Sequence, residues 1–303
     1  MFLVIGGTTI VKHKECSLHN GMDIYYSSKG NLAALKHEFE GDIYHKHGIE
    51  LKDGDCIFDV GANIGFFMLH LNQHLNDASV HSFEPIPDTF GLLERNAQRH
   101  NSLNLQLHNC GLSDEAGTAT FTHYPRSNIC STMFPQGSAE YLDNNREYVT
   151  DRIRDRSAVA RMIVDRTPMF IRRLLFHLIF RRYYRAQVNV ECKLRTISDV
   201  IDEQNIKRLD YLKVDTEGAE VNVLNGIRSD HWPMIRQAVI EVHNGSSGLQ
   251  EVIKILERNG LHAVVEQPSA TLSHLRMVYA ARPCSSSTVT LANTDSSPLQ
   301  TLP

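Results

Sequence analysis

Acidic residues beside a glycine turn give this chain of 303 residues its first chemical signature. Asp59 lies in the run Ile57-Phe58-Asp59-Val60-Gly61-Ala62-Asn63-Ile64-Gly65, and Glu84 closes the next apolar run, Ser79-Val80-His81-Ser82-Phe83. Glycine has no Cβ and tolerates positive φ, so a turn through Gly61 and Gly65 lets backbone approach a ligand closely. An acid that ends the following strand is placed to accept the two hydroxyls of a ribose. The pair implies a nucleoside-bearing cofactor at the carboxyl edge of a parallel sheet.

Two cofactors compete for that edge. The dinucleotide fingerprint is G-x-G-x-x-G, whose glycines make room for a pyrophosphate at a helix N-terminus. Here the spacing is Gly61-x-x-x-Gly65, with Asn63 near the place of a middle glycine. Asp59 would repel a pyrophosphate, and it suits a ligand with an ammonium group. S-adenosylmethionine (SAM) carries an ammonium, a sulfonium and an adenosine for Glu84. An NAD-dependent enzyme is the weaker alternative. The bland alternative is an ordinary strand–turn–helix with Asn63 as a helix cap.

A second acidic group lies far along the chain, in Leu212-Lys213-Val214-Asp215-Thr216-Glu217-Gly218-Ala219-Glu220. Carboxylates this close must be hydrogen-bonded, face a cation or be solvated. Glu217 and Glu220 could equally serve the first turn of a helix, where negative charge is favourable. The run Val239-Ile240-Glu241-Val242-His243 ends on an acid and a histidine. Strand alternation sets Glu241 and His243 on one side. A divalent metal on Asp215, Glu217 and His243 is conceivable, since oxygen-rich sites suit magnesium. It is not expected, because capping accounts for the carboxylates.

The elements that must position these residues follow from periodicity. Strands are predicted from Ile57, at Ser79–Phe83, Leu105–Cys110, Leu209–Val214, Ala238–Val242, Leu261–Glu266 and Met277–Ala281. Helical patterns separate the first of them, after Gly65 and over 87–100. This alternation predicts a doubly wound α/β sheet, whose ligands bind beyond the carboxyl ends of its strands. Thr118–Thr122 and Val188–Cys192 read as a further strand pair around an excursion over about 125–187. That excursion contains a basic amphipathic helix over about 168–185, with Met169, Phe170, Leu174, Leu175 and Leu178 among its apolar residues. It reads as a lid over the cleft, a packing helix, or a peripheral contact with a membrane or anionic carrier. Residues 1–50 form a preamble, with a helix expected after Asn31, and 284–303 a Ser/Thr-rich disordered tail.

Composition narrows the class. The chain is 42% hydrophobic and 22% charged, as globular proteins are, with a formal net charge of -4. The whole molecule is therefore no polyanion binder. Six cysteines are scattered without a C-x-x-C pair, which implies a reduced, cytoplasmic protein. Sixteen histidines include no H-E-x-x-H zinc spacing. No signal peptide and no membrane span are expected.

The segments Phe58–Gly65, Phe83-Glu84-Pro85-Ile86-Pro87, Leu212–Glu220 with Val223-Leu224-Asn225-Gly226, and Ile240–His243 stand together in one order. In that order the chain resembles the FkbM family of SAM-dependent methyltransferases over about residues 50–282. The resemblance implies a class I, Rossmann-like methyltransferase domain at 51–283, mostly parallel, with an antiparallel last strand and a helical insertion. It implies SAM as donor and O-methylation of a hydroxyl on a natural product, sugar or lipid-like molecule, free or carrier-bound. A nucleic-acid acceptor is not expected, since Val214-Asp215-Thr216-Glu217 stands where an Asn/Asp-Pro-Pro-aromatic motif would be. A non-catalytic SAM-binding scaffold is the alternative.

Roles can then be assigned as expectations. Asp59 helps to hold the amino-acid end of SAM, backbone at Gly61, Asn63 and Gly65 shapes the turn around it, and Glu84 binds the ribose. Asn109 and Asp114, after the third strand, line the adenine pocket. His243 is the candidate general base, because histidine titrates nearest neutral pH. Glu241 or Asp215 would orient it.

Overall fold

In the computed structural model of the chain, residues 4–5, 8–9, 14–18, 21–27, 43–100, 102–125, 131, 133, 158–172, 174–175, 178, 187–243, 245–268 and 275–283 are described. The helix expected after Asn31, most of the 125–187 excursion and the 284–303 tail lie outside them. Strands β1 (Val4–Ile5) and β2 (Thr8–Thr9) pair with each other, as do β3 (Lys14–Ser17) and β4 (Asp23–Tyr26).

The central sheet begins with β5 (Asp55–Val60), followed by helix α1 (Phe66–His74), β6 (Ala78–Phe83), α2 (Pro87–His100) and β7 (Asn104–His108). The short strand β8 (Gly111–Leu112), the strand β9 (Gly117–His123) and helix α3 (Ala158–Arg166) come next. After β10 (Val188–Arg195) and α4 (Ile197–Glu203), the sheet resumes with β11 (Tyr211–Val214), α5 (Glu220–Asn225), β12 (Gln237–Val242), α6 (Gly245–Arg258), β13 (His262–Glu266) and β14 (Arg276–Ala281).

Seven strands form the sheet in the order β13-β14-β12-β11-β5-β6-β7. Strand β14 runs antiparallel to both neighbours, while β12, β11, β5, β6 and β7 are parallel. This is the class I methyltransferase architecture expected, with its antiparallel last strand. The chain reverses strand order between β5 and β11, where an open α/β sheet forms its ligand crevice. Apolar residues cover both faces. Phe58, Val60, Leu212, Val214 and Ile240 pack on one, and Ile57, Tyr211, Val239 and Tyr279 on the other.

The predicted pair around the excursion forms: β9 and β10 run antiparallel from Val188↔His123 to Leu194↔Gly117, and β8 joins the other edge of β10 in parallel. Strand β11 starts at Tyr211 rather than Leu209. The Asp210 carboxylate accepts the Cys56 N–H at 2.9 Å, and Leu209 instead makes an isolated bridge to Ile235. Cys110 falls just beyond β7, because its N–H turns back to the His108 carbonyl at 2.9 Å. Among the described residues no helix is long and apolar enough to cross a membrane.

Candidate functional site

The glycine turn leaves β5 with Gly61 at φ 81, Asn63 at φ 50 and Gly65 at φ 96. Its first two N–H groups, of Gly61 and Ala62, both donate to the Phe83 carbonyl at 3.0 and 2.9 Å. A Cβ at Gly61 would lie 1.7 Å from the Asp215 carbonyl oxygen, so the turn passes directly over the end of β11. Gly65, not Asn63, is the N-cap of α1, and Asn63 is a left-handed residue inside the turn. Asparagine tolerates that conformation better than most side chains. The helix-cap alternative for Asn63 is thereby corrected.

Glu84 reaches back to this turn. It is 6% exposed, and its carboxylate accepts N–H groups from Asn63 at 3.1 Å and Ile86 at 2.9 Å. Burial raises its pKa to about 7 against the opposing pull of those two donors. Asn109 braces the same corner, its amide donating to the carbonyls of Glu84 at 2.9 Å and Pro85 at 3.2 Å. Its side chain therefore supports Glu84. Asp114 sits apart. It is exposed, accepts from Ser113 Oγ at 2.8 Å, and is held below the usual carboxylate range by Ser113 and, against burial, by Asn222 of α5.

Asp59 is fully buried, and its partner is a residue that sequence reasoning passed over. Lys213 stands opposite Asp59 in the β5–β11 register and donates to Asp59 Oδ1 at 2.9 Å and the Gly61 carbonyl at 3.1 Å. Its Nζ also lies 3.9 Å from Asp215 Oδ2 and 5.9 Å from the centre of the Phe67 ring. A lysine inside an otherwise apolar strand is the only signal in the sequence, and the pairing of the adjacent strands β5 and β11 is what supplies its partner. Lys213 thus links the glycine turn to the second acidic group. Asp59 Oδ2 is buried with no hydrogen-bond partner among the described residues.

That second group closes around His243. Glu217 and Gly218 take φ 52 and 110, which folds the chain sharply between β11 and α5. Glu220 is fully buried, and its Oε1 accepts the Gly218 N–H at 2.8 Å and meets His243 Nδ1 at 3.1 Å. It therefore braces the turn that precedes α5 and holds the imidazole. An ionised carboxylate only accepts, so Nδ1 carries the proton of that bond. His243 Nε2 faces Glu241 Oε1 at 3.4 Å and Glu217 Oε2 at 3.8 Å.

The charges perturb one another. Burial lowers the His243 pKa most, but Glu217, Glu220 and Glu241 together outweigh it and lift it well above 6.5. Asp215 is pushed up by burial and then by Glu241. Glu217 is pushed up by burial, against His243. For Glu220 burial raises, yet the hydrogen bond from His243 and its other partners prevail and the net shift is downward. Strongly perturbed carboxylates and an imidazole in one crevice mark a functional site. The structure thus brings Asp59, Gly61, Asn63, Gly65, Glu84 and Asn109 to one corner and Asp215, Glu241 and His243 to the next, while Asp114 is held by Ser113 and Asn222.

Comparisons with known proteins give the family. Residues 59–262 match the Methyltransferase FkbM domain. The 31-O-demethyl-FK506 methyltransferase FkbM of Streptomyces tacrolimicus is 34% identical over 256 residues, covering 82% of this chain and 89% of that protein. Methyltransferase 1 of Beauveria bassiana is 29% identical, covering 74% of this chain and 79% of its own length. AMB antimetabolite synthetase AmbE of Pseudomonas aeruginosa is 30% identical over 81% of this chain, which spans 11% of AmbE. Among solved structures, Methyltransferase FkbM from Methylobacillus flagellatus KT aligns with a TM-score of 0.48 and 16% identity, covering 80% of this chain and 47% of that one. The chain belongs to the FkbM family of SAM-dependent methyltransferases.

Proposed function

We propose that this protein methylates a hydroxyl oxygen of a small, partly apolar acceptor, free or carried on a larger assembly. One observation carries the reading: an imidazole ringed by carboxylates stands beside the glycine turn, joined to it through Lys213. SAM supplies an activated methyl group on its sulfonium. The buried Asp59 oxygen that has no hydrogen-bond partner among the described residues and the Glu84 carboxylate fit its ammonium end and its ribose. Backbone of the Gly61–Gly65 turn shapes the seat between them.

The acceptor hydroxyl then lies over His243. With Nδ1–H committed to Glu220, Nε2 of the neutral ring takes the hydroxyl proton. The carboxylates that steady the imidazolium also make that neutral form scarce near pH 7, so methyl transfer should speed up as pH rises. Asp215, at the end of β11, orients the pair from the cofactor side. Holding oxygen, methyl and sulfur in line supplies much of the rate. The relative named 31-O-demethyl-FK506 methyltransferase supports oxygen as the acceptor atom, and the AmbE match supports a carrier-bound one.

The exposed apolar side chains Met169, Phe170, Leu174, Leu175 and Leu178 support an acceptor with apolar surface, covered by this segment. The same face suits peripheral contact with a membrane. Isothermal calorimetry with SAM and NADH tests the cofactor seat. SAM should bind and Glu84→Ala should weaken it, whereas NADH binding without SAM binding would refute the assignment. Labelled methyl transfer into a metabolite extract, followed by identification of the labelled product, tests the acceptor. An N- or C-methyl product would overturn the oxygen reading.

A further inference from the structure

Around His243 the side chains are arranged as ligands are arranged around a cation. Among the described residues, one ligand atom from each of Asp215, Glu241 and His243 lies within 4.8 Å of the other two. Carboxylate oxygen and imidazole nitrogen bind a divalent cation at about 2.0–2.2 Å, so two ligands of one ion stand at most about 4.4 Å apart. A small rotation of the side chains covers the difference. Their side chains are 24%, 17% and 8% exposed, so an ion can enter from solvent.

Two further features point the same way. The far nitrogen of His243 is fixed by Glu220 at 3.1 Å, as metal-bound imidazoles are fixed by a carboxylate behind them. Glu220 itself is fully buried against this cluster. Its Oε1 meets Thr216, Gly218 and His243, while Oε2 has no hydrogen-bond partner among the described residues. A buried carboxylate oxygen left unanswered is costly unless positive charge lies near it. Glu217, 3.8 Å from Nε2, adds a fourth carboxylate to a cluster with one imidazole.

We propose that Asp215, Glu241 and Nε2 of His243 bind a first-row divalent cation such as Mn2+, with Glu220 as the positioning residue behind the imidazole. The mixture of oxygen and one nitrogen favours such an ion over calcium. This inference rests on the reading that the cluster faces the acceptor hydroxyl, and it changes one detail. With the cation present, Nε2 is a ligand, and a cation-bound hydroxyl loses its proton to water at lower pH than a free one.

The test uses the chelator-stripped full chain titrated with MnCl2, with free Mn2+ followed by electron paramagnetic resonance. One ion should bind per chain. Asp215→Asn and Glu241→Gln should weaken binding at least tenfold, Glu220→Gln about 10- to 100-fold, and the surface control Glu251→Gln should leave it unchanged. Because the buried variants could misfold, pulsed spectroscopy on Mn2+-loaded wild type should also show coupling to an imidazole nitrogen. Absent binding, binding indifferent to Asp215→Asn and Glu241→Gln, or absent nitrogen coupling overturns the cation. Methyl transfer that persists in chelator but disappears in His243→Ala also overturns it and leaves His243 as base. Cation binding in a protein that binds no SAM keeps the cation and removes the reaction.

Discussion

Lys213 and Glu84 carry the clearest consequences at the scale of single residues. Lys213 is the buried partner of a fully buried Asp59, so removing its charge strands a carboxylate away from water. Lys213→Met should cost about 3–5 kcal/mol of stability, read from urea unfolding. A change under about 0.5 kcal/mol would mean that water takes the place of the ammonium beside Asp59. Glu84 has its pKa lifted to about 7 by burial, against two backbone donors. Ribose hydroxyls donate to the ionised form, so SAM binding should release a proton from this group. Affinity should therefore fall as pH drops from 8 to 6, by up to about tenfold per pH unit below 7. Calorimetry at three pH values checks the slope, which Glu84→Gln should flatten. Sequence made Glu84 legible because its place after a strand is fixed by the backbone. Lys213 was hidden by a different kind of fact: its partner is 154 residues away, and only the pairing of β5 with β11 joins them.

The glycine turn makes its prediction at the scale of an element. A methyl group at Gly61 would collide with the Asp215 carbonyl, and φ 81 is strained for any side chain. Gly61→Ala should lose SAM binding and at least about 1–3 kcal/mol of stability. Gly91, inside α2, has nothing within 4 Å of such a methyl and an ordinary φ. Gly91→Ala should stabilise by about 0.5–1 kcal/mol, so thermal melts of the two variants should move in opposite directions. Equal shifts would mean that the turn does not cross β11 as described. Elements were readable where periodicity was clean, as in β5, β6 and β12. Less readable was the dual duty of Glu220, because capping and clamping use the same residue at the same position. Asp114 is expected at the cleft from its place after the third strand, and in the structure Ser113 and Asn222 hold its carboxylate.

Taken as a whole molecule, the fold is a sheet that delivers two corners, the glycine turn and the His243 cluster, to the same crevice, and we assign the first to cofactor and the second to chemistry. The doubly wound class was legible from the alternation of strands and helices. The strand order was not, since long-range pairing leaves no local trace. The apolar face of the excursion is different in kind. Phe170 is 72% exposed and Met169 71%, so neither supports the core. Phe170→Ser should leave stability within about 0.5 kcal/mol while raising KM for an apolar acceptor, and a large loss of stability would place this segment in the core instead. The central claim is that chemistry happens at His243 and cofactor binding does not. Single-turnover methyl transfer from labelled SAM, in wild type and His243→Ala at saturating SAM, tests it most directly. The rate should fall by about 10²- to 10⁴-fold with the SAM dissociation constant unchanged. Equal rates in the two proteins would contradict it.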